Sequence, residues 1–291
     1  MGERRGTQRN ITIYDIAREA GVSYATVSRA LNGHADVGPA TRERILEVSK
    51  RLNYRPRAIA RGLTKKKSWL LGVIYQGDFD NPFFGALLSR AKATIEPDGY
   101  ELLFFHDAAG VTHDELVTRA RYRQIDGLIV AGVTQQSSAV QELGSLDIPM
   151  VSINFRISPR ASAVVSHHYR GSLDALELLW QHGHRRIGFV AGDLDNTSGR
   201  YRYVAYRRFL ETHGVNTRPE WVAQSSFDGN VEELSYARVL EAMNHRSPPT
   251  AWLCSEDMMA IGAMRALAEL GLSVPGDVSV IGFDDIDLAR Y

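Results

Sequence analysis

The stretch from Thr12 to Leu31 constrains the fold more than any other, because it has the pattern of two short helices joined by a glycine-containing turn. Thr12 and Asp15 have the spacing of a helix cap and its acidic partner. Gly21 supplies the conformational freedom of a tight turn, and Ser23 is a candidate cap for the second helix. Apolar residues of the first helix recur three and four apart: Ile13, Ile16, Ala17 and Ala20. The pattern fits a helix-turn-helix or an ordinary helical hairpin inside a larger core.

The outer face of the second helix favours the first of these interpretations. Val27, Ala30 and Leu31 point inward in the predicted helix, and mostly hydrogen-bonding residues remain outside. The outward residues are Tyr24, Ala25, Ser28, Arg29 and Asn32. A helix-turn-helix places such side chains, one turn from the helix N-terminus, on base edges in the major groove of DNA.

The charge distribution supports a nucleic-acid partner although the whole chain has a net charge of zero. Residues 1–67 hold 15 of the 34 Lys and Arg residues and 6 of the 34 Asp and Glu residues, which gives this segment a charge of +9. The other residues therefore carry −9. A basic module on an acidic body is typical of proteins that bind polyanions.

Two further segments follow the helix pair. Residues 39–52 predict a third helix that starts at a proline, and its apolar side completes a three-helix core. Residues 57–63 have the spacing of one helical turn, but so short a helix is unstable alone in water. We therefore expect residues 57–63 to order only against a partner, and the three lysines at 65–67 to form a cationic link.

The pattern changes at Trp69 to apolar strands that alternate with amphipathic helices, which predicts parallel sheets covered on both faces. Two consecutive arrays, divided near residue 155, predict two similar lobes, with the strand at 163–166 opening the second. Ligands of such sheets bind beyond the carboxyl ends of the strands. A cleft between the lobes is therefore the expected small-molecule site.

Several other classes of protein have little support. Cys254 is the only cysteine, so an intrachain disulfide is excluded, and it lies on a predicted buried strand, where packing is a better interpretation than catalysis. No apolar run is long enough to span a membrane, and no nucleotide-binding or hydrolase motif occurs. His167, His168, His182 and His184 lack the further ligands of a metal site. We expect no enzyme activity, no metal and no cofactor.

The motifs and their order resemble those of the LacI/GalR family of transcriptional regulators across residues 12–291. The matching segments are TIYDIAREAGVSYATVSRALNG (12–33), TRERI (41–45), LNYRP (52–56), NPFF (81–84), IDGLIV (125–130), GHRRIGFVAG (183–192), PTAWLCSEDMMAIGAMRAL (249–267) and GLSVPGDVSVIGFDD (271–285). The resemblance implies a homodimeric repressor that binds a pseudo-palindromic operator. It also implies a periplasmic-binding-protein-like core that holds a sugar or nucleoside-like effector.

Carried over by position, the resemblance assigns base reading to Tyr24, Ala25 and Arg29. Arg29 can donate two hydrogen bonds to guanine, and Ala25 has a methyl group suited to thymine. Residues that match phosphate-contacting or positioning sites are Ser23, Ser28, Asn32, Thr41 and Tyr54. Ala60 and Leu63 match the residues that the family inserts into the minor groove, where an apolar wedge kinks DNA. Arg57 stands where the family often has Asn, and we expect it to contact phosphate.

The resemblance also predicts effector contacts. Aromatic and amide positions are Phe83, Phe84, Asn154 and Phe227, and ionic positions are Arg202, Glu256, Asp257 and Asp284. Each has an ordinary alternative, since the aromatic residues suit a core and Arg202 suits a surface ion pair. The family commonly has Asn-Asp where this chain has Glu256-Asp257. Glu256 weakens the sugar assignment and favours a ligand with more donors, even a cationic one.

The expected organisation has four parts: a helix-turn-helix domain at 1–55, a hinge and linker at 56–68, a first core lobe at 69–155 and a second lobe at 156–291. Family members usually continue beyond the last of these motifs. We therefore expect the second lobe to be incomplete at its C-terminus relative to the family. The absence of an apolar N-terminal stretch favours a cytoplasmic protein over a secreted solute-binding protein with similar lobes.

Overall fold

A computed structural model of the chain describes residues 11–54, 67–77, 80–106, 113–133 and 138–290. The chain forms two compact units, Met1–Trp69 and Leu70–Tyr291. The predicted hinge residues Arg57, Ala60 and Leu63 lie outside the described residues, and so does the expected short helix at 57–63.

The N-terminal unit contains the three helices that the sequence predicts. They are α1 (Ile13–Ala20), α2 (Tyr24–Leu31) and α3 (Pro39–Arg51). The Thr12 backbone N–H and hydroxyl both donate to Asp15 Oδ2, at 2.9 and 2.7 Å, which fixes the start of α1. Gly21 ends α1 with a φ of 64°, a left-handed conformation that glycine adopts without steric cost.

One apolar cluster holds these helices together. Ile16 on α1, Val27 on α2 and Ile45 on α3 are fully buried at its centre. The smaller Ala20 and Ala30 let α1 and α2 approach closely. This packing keeps the outer face of α2 free of core contacts, because each of its buried residues, Val27 and Ala30, lies on the opposite side.

The first lobe of the C-terminal unit is built on a five-stranded parallel sheet in the order β2-β1-β3-β4-β5. Its elements are β1 (Leu70–Tyr75), α4 (Pro82–Ile95), β2 (Glu101–His106), α5 (His113–Tyr122), β3 (Gly127–Ala131), α6 (Ser138–Gly144), β4 (Met150–Ile153) and β5 (Ser162–Val164). Strands β1 and β3 are almost continuously apolar, as expected of strands covered on both faces.

The position of β5 corrects the predicted lobe boundary. The sequence pattern assigned a strand at 163–166 to the second lobe and ended the first lobe at 155. In the structure β5 pairs in parallel with β4, and the Asn154 N–H donates to the Val164 carbonyl at 2.8 Å. The Ser152 hydroxyl reinforces this pairing through the Ser162 carbonyl. The strand thus satisfies an otherwise open edge of the first sheet, and pairing of this kind is not encoded in periodicity.

The second lobe is built on a four-stranded parallel sheet in the order β7-β6-β8-β9. Its elements are α7 (His168–Gln181), β6 (Ile187–Ala191), α8 (Thr197–Thr212), β7 (Val222–Gln224), α9 (Val231–Met243), β8 (Ala251–Cys254), α10 (Asp257–Glu269) and β9 (Ser279–Ile281). Two apolar clusters cover its faces, and Cys254 is buried in one of them. The two sheets confirm the predicted two-lobed α/β core.

A membrane-spanning role has no support in the described parts of the chain. None of their helices is both long enough and apolar enough to cross a bilayer.

Candidate functional site

The N-terminal unit presents the predicted base-reading residues to solvent. Tyr24 is 57% exposed and rests against Tyr14, with ring centroids 5.6 Å apart. Ala25 is also exposed, and Arg29 is exposed and forms an ion pair with Asp36. The three residues share the outer face of α2 and lie within two turns of its N-terminus. This placement is compatible with entry of α2 into a major groove.

The predicted positioning residues divide into two groups. Ser23 caps α2 through the Thr26 N–H at 3.1 Å, and Asn32 Nδ2 donates to Ser28 Oγ at 3.4 Å at the other end of the helix. Thr41 and Tyr54 are half-buried, and Tyr54 packs against the three-helix core. Ser23, Ser28, Asn32 and Tyr54 therefore have structural contacts of their own, and a phosphate contact would be additional.

The C-terminal unit contains a cavity of about 310 Å³ between its two lobes, which we call the interlobe cavity. Seven of the eight predicted effector residues line it: Phe83, Phe84, Asn154, Arg202, Phe227, Glu256 and Asp284. The strand ends bring them together. Asn154 follows β4, Glu256 follows β8 and Asp284 follows β9, and the carboxyl ends of parallel strands meet at one edge of a sheet.

Two of these strand-end residues have strained backbones. Asn154 has a φ of 73° and Asp284 a φ of 105°, in the left-handed region that side chains other than glycine rarely adopt. Such strain is concentrated at functional sites, where the surrounding structure holds it in place. Both residues face the interlobe cavity, so these two of the chain's left-handed non-glycine positions lie at the candidate ligand site.

Arg202 is the centre of the ionic part of the cavity. It lies on α8 and is only 5% exposed. Its guanidinium donates to the Ser255 carbonyl and to Asp284 Oδ1, the latter at 3.3 Å, and Nη2 lies 3.2 Å from His168 Nδ1. It also stacks over the Phe283 ring at 3.8 Å. These contacts fix the guanidinium plane, but its buried Nε has no hydrogen-bond partner among the described residues.

Two carboxyl groups in the cavity have a pKa above the ordinary value. Burial, followed by repulsion from Asp284, raises the pKa of Glu256 to about 8. Burial also raises the pKa of Asp284 to about 6, with Arg202 opposing the shift. Glu256 Oε1 is buried and has no hydrogen-bond partner in the described part of the chain. A buried polar atom without a partner is rare in native proteins and indicates a group that a ligand would satisfy.

His168 completes this network as a neutral imidazole. Burial, and next the charge of Arg202, lowers the pKa of His168 to about 4. Its Nε2 lies 3.1 Å from Ser198 Oγ, so the ring links α7 to α8 beside Arg202. A metal-binding role has no support for it, because the described residues contain no group of three His, Cys, Asp or Glu side chains that could hold a metal ion.

The aromatic residues come from both lobes. Phe227 lies directly over Gly192, where an added Cβ would approach the ring to 2.2 Å, and its N–H donates to Asp193 Oδ2 at 3.0 Å. In the first lobe Phe84 contacts Phe83 edge-on, with ring centroids 5.2 Å apart, and also packs against the core. Phe84 and Phe227 therefore combine core packing with exposure to the cavity.

Asp257 is the predicted effector residue that does not line the cavity. It lies in the first turn of α10, and its Oδ2 accepts the Ile286 N–H at 2.9 Å. Its carboxylate is used to hold the loop after β9, which contains Asp284. The structure therefore does not bring Asp257 into the lining of the cavity, and its assignment to the effector site stays a prediction. Its position next to Glu256 placed it near the site, but the start of α10 turned its side chain toward the loop.

Sequence reasoning missed part of the cavity. Its lining also includes Gln76, Asn81, His168, Asp193, Asp195, Asn196, Thr197, Ser198 and Asp228. Most of these residues lie just beyond a strand or at the start of a helix, so the strand-end rule could have identified Asp193 and Thr197. His168 was noticed in the sequence only as a possible metal ligand.

Models of protein families match both units. The model of bacterial regulatory proteins of the lacI family matches residues 12–57, and the model of a periplasmic binding protein-like domain matches residues 176–291. Catabolite control protein A of Priestia megaterium is 32% identical over 285 residues, which cover 96% of this chain and 84% of that protein. The chain belongs to the LacI family.

Solved structures are similar to this LacI-family chain over nearly its whole length. The lac repressor dimer bound to operator and the anti-inducer ONPF has a TM-score of 0.82 at 26% identity, covering 96% of this chain and 84% of that one. The complex of the transcriptional regulator CelR with cellobiose has a TM-score of 0.69 at 26% identity, covering 97% and 85%. The family consists of DNA-binding transcriptional regulators, so the predictions of such a regulator and of no enzyme are confirmed.

Proposed function

We propose that this LacI-family regulator is a cytoplasmic repressor that binds a pseudo-palindromic operator as a homodimer and responds to a small-molecule effector in the interlobe cavity. Residues 1–55 would bind DNA and residues 56–68 would form the hinge. The first lobe would extend from 69 through β5, and the second lobe would follow. The similar structures support this proposal, since one is a repressor dimer on its operator and another holds cellobiose.

One observation carries the effector part of the proposal. Arg202 and Glu256 lie deep in a cavity between two lobes, and each has a buried polar atom without a partner in the described part of the chain. A buried donor or acceptor without a hydrogen-bond partner destabilises the folded state, and a ligand that forms the missing hydrogen bond removes this penalty. Hydroxyl groups of a carbohydrate or nucleoside could do so, while Phe83 and Phe227 cover the apolar faces of its ring.

The effector would control DNA binding by shifting the relative positions of the two lobes. A ligand that contacts both lobes binds the closed and open arrangements with different affinity. It can shift their equilibrium only by that difference. We propose that this shift decides whether residues 57–63 of the two protomers can pair and place Leu63 in the minor groove. Tyr24, Ala25 and Arg29 would supply the base readout.

The operator can be tested with the full-length chain. Duplexes selected from a random library are measured by fluorescence anisotropy with the wild type, with Arg29→Ala and with Arg18→Ala as a matched control. Arg18 is an exposed α1 arginine that pairs with Asp15. We expect Arg29→Ala to lose at least tenfold in preference for the selected duplex and to keep salt-sensitive binding to unrelated DNA. Equal loss on all duplexes would refute base readout by Arg29.

The effector is tested on the same complex. Sugars and nucleosides are screened by thermal shift, because a ligand that binds only the folded state stabilises it. Each hit is then added to the operator complex. We expect at least one hit to change operator affinity, and a complete absence of both stabilisation and response would overturn control through this cavity.

A further inference from the structure

The interlobe cavity has more carboxyl groups than cationic groups, an arrangement that a neutral sugar does not need. Among the described residues that line it, five have carboxylates: Asp193, Asp195, Asp228, Glu256 and Asp284. One guanidinium, that of Arg202, is the matching cation in this part of the lining, and His168 is neutral because burial lowers its pKa. An acidic cluster alone does not define a ligand, so the contacts of each carboxylate matter.

Glu256 differs from the neighbouring carboxylates in its contacts. Asp284 pairs with Arg202 at 3.3 Å, and Asp193 accepts the Ser226 hydroxyl at 2.8 Å together with the Phe227 N–H. Asp195 and Asp228 are exposed to solvent. Glu256 is only 6% exposed, and its Oε1 has no hydrogen-bond partner within the described residues. It is therefore a buried carboxyl group for which the described parts of the chain supply no partner at Oε1.

Arg202 does not supply that partner. Its Nη atoms are engaged with Ser255, His168 and Asp284, and no ion pair joins it to Glu256 within the described structure. A buried carboxylate is strongly disfavoured unless it is paired and hydrogen-bonded. Burial, and next the charge of Asp284, raises the pKa of Glu256 to about 8, although the charge of Arg202 opposes the shift. A ligand ammonium group would provide both the opposite charge and the hydrogen-bond donors.

We propose that the effector is an amino sugar whose ammonium group binds Glu256, an inference that rests on the proposed function of the cavity. The ring of the sugar would lie against Phe83 and Phe227, and Arg202 Nε would donate to a hydroxyl or ring oxygen. A cavity of about 310 Å³ is of the size that holds a small ligand. A linear diamine has the charge but no ring for the aromatic faces.

Matched pairs of monosaccharides test the charge directly, because each pair differs only by an ammonium in place of a hydroxyl. Binding of glucosamine and glucose, galactosamine and galactose, and mannosamine and mannose to the full-length protein is measured by isothermal titration calorimetry. At least one hexosamine should bind tenfold or more tightly than its hexose. Equal or tighter binding of every hexose would overturn the proposal. Putrescine serves as a ring-free probe, and binding as tight as that of the hexosamine would overturn the sugar part.

Two variants locate the charged contact. Glu256→Gln keeps the size of the side chain and removes its charge, and Glu241→Gln makes the same change at an exposed site on α9 that pairs with Arg238. Thermal unfolding confirms that both variants fold. We expect Glu256→Gln to lose the tenfold preference and Glu241→Gln to keep it. A preference that survives in folded Glu256→Gln refutes the contact, and if this variant does not fold, the wild-type pairs decide.

Failure of the amino-sugar proposal can be distinguished from failure of the proposed function. If a neutral sugar or a nucleoside releases the operator and no hexosamine binds, the effector-controlled repressor stands and the amino-sugar assignment fails. If the full-length protein selects no operator, the proposed function fails whichever ligand binds.

Discussion

The two lobes contribute different chemistry to the interlobe cavity. The first lobe presents rings and amides, with Phe83, Phe84 and Asn154 on its side. The second lobe adds the Phe227 ring and presents the ionic groups, with Arg202, Glu256 and Asp284 fixed among α8, α10 and the loop after β9. The ionic side is held by a connected network of short contacts, whereas the aromatic side is held by packing against the β1 region.

This difference implies that the two lobes have different roles in ligand binding. A buried ionic network has strict geometry and is expensive to disturb, so the second lobe should set which ligand binds and should dominate its affinity. A partly exposed aromatic face tolerates substitution and contributes apolar contact area. The first lobe should therefore respond to the ligand by closing over it. Substitutions on the two sides should therefore differ in size of effect, and the following predictions test that order.

Arg202→Ala should have the largest effect. The substitution leaves Asp284 buried without its partner, and breaking a buried pair typically costs about 3–5 kcal/mol of unfolding free energy. We expect complete loss of the effector response and retention of DNA binding by the N-terminal unit at temperatures where the protein stays folded. The control is Arg207→Ala, five residues along α8, whose exposed pair with Glu211 should contribute about 0.5 kcal/mol or less. Urea unfolding measures both, and equal losses would contradict a special role for Arg202.

Gly192→Ala should have the second largest effect, because the new Cβ would overlap the Phe227 ring. Overpacking of this kind costs about 1–3 kcal/mol, and displacement of the ring should weaken ligand binding at least tenfold. Gly85→Ala is the matched control in the first lobe, where a Cβ meets open space on α4 and helix propensity favours Ala. Opposite signs of the change in melting temperature are expected, and a stabilised Gly192→Ala would show that Phe227 is not held against residue 192.

The pH dependence of stability should identify Glu256. Because its folded pKa is raised to about 8 from an ordinary 4.5, the folded state keeps a proton that the unfolded chain has released. Stability from this group is therefore greatest at low pH and falls as pH rises toward 8. The raised pKa of Asp284 changes stability in the same direction, but its effect is complete near pH 6. The lowered pKa of His168 changes stability in the opposite direction, and only below about pH 6.5.

Between about pH 7 and pH 8, Glu256 should thus dominate among these three groups. We expect the unfolding free energy of the wild type to fall by up to about 1 kcal/mol more than that of Glu256→Gln over this interval. Glu241→Gln should follow the wild type. Denaturant unfolding at several pH values measures the slopes, and identical slopes for Glu256→Gln and the wild type would contradict the raised pKa.

Phe83→Ala should have the smallest effect of the four. Phe83 is only half-buried, so its truncation removes part of a ring contact, and we expect a loss of about 1 kcal/mol or less in stability. Ligand affinity should fall by a few-fold, less than for any change on the ionic side. Tyr122→Ala, at an 85% exposed residue of the same lobe, should leave both unchanged. An affinity loss for Phe83→Ala larger than that for Gly192→Ala would reverse the proposed order of the two lobes.

Local patterns predicted much of this molecule. Three and four residue spacing identified α1, α2 and α3, and cap residues such as Ser23 fixed where they begin. The family resemblance predicted the effector residues, and three of the eight, Asn154, Glu256 and Asp284, lie within three residues after the end of a strand. His168 was missed as a cavity residue because its partners Arg202 and Ser198 are about 30 residues away along the chain, and only packing of α7 on α8 brings them together.

The sequence by itself determined the helix-turn-helix, the alternating α/β order and the family, because each depends on residue types at short spacing. Tertiary structure decided which sheet receives β5, that Asp257 holds a loop while Glu256 faces the cavity, and that Glu256 Oε1 has no partner among the residues the structure describes. Each of these facts depends on where distant segments meet. That Glu256 needs a partner can be seen only when the residues packed around it are known.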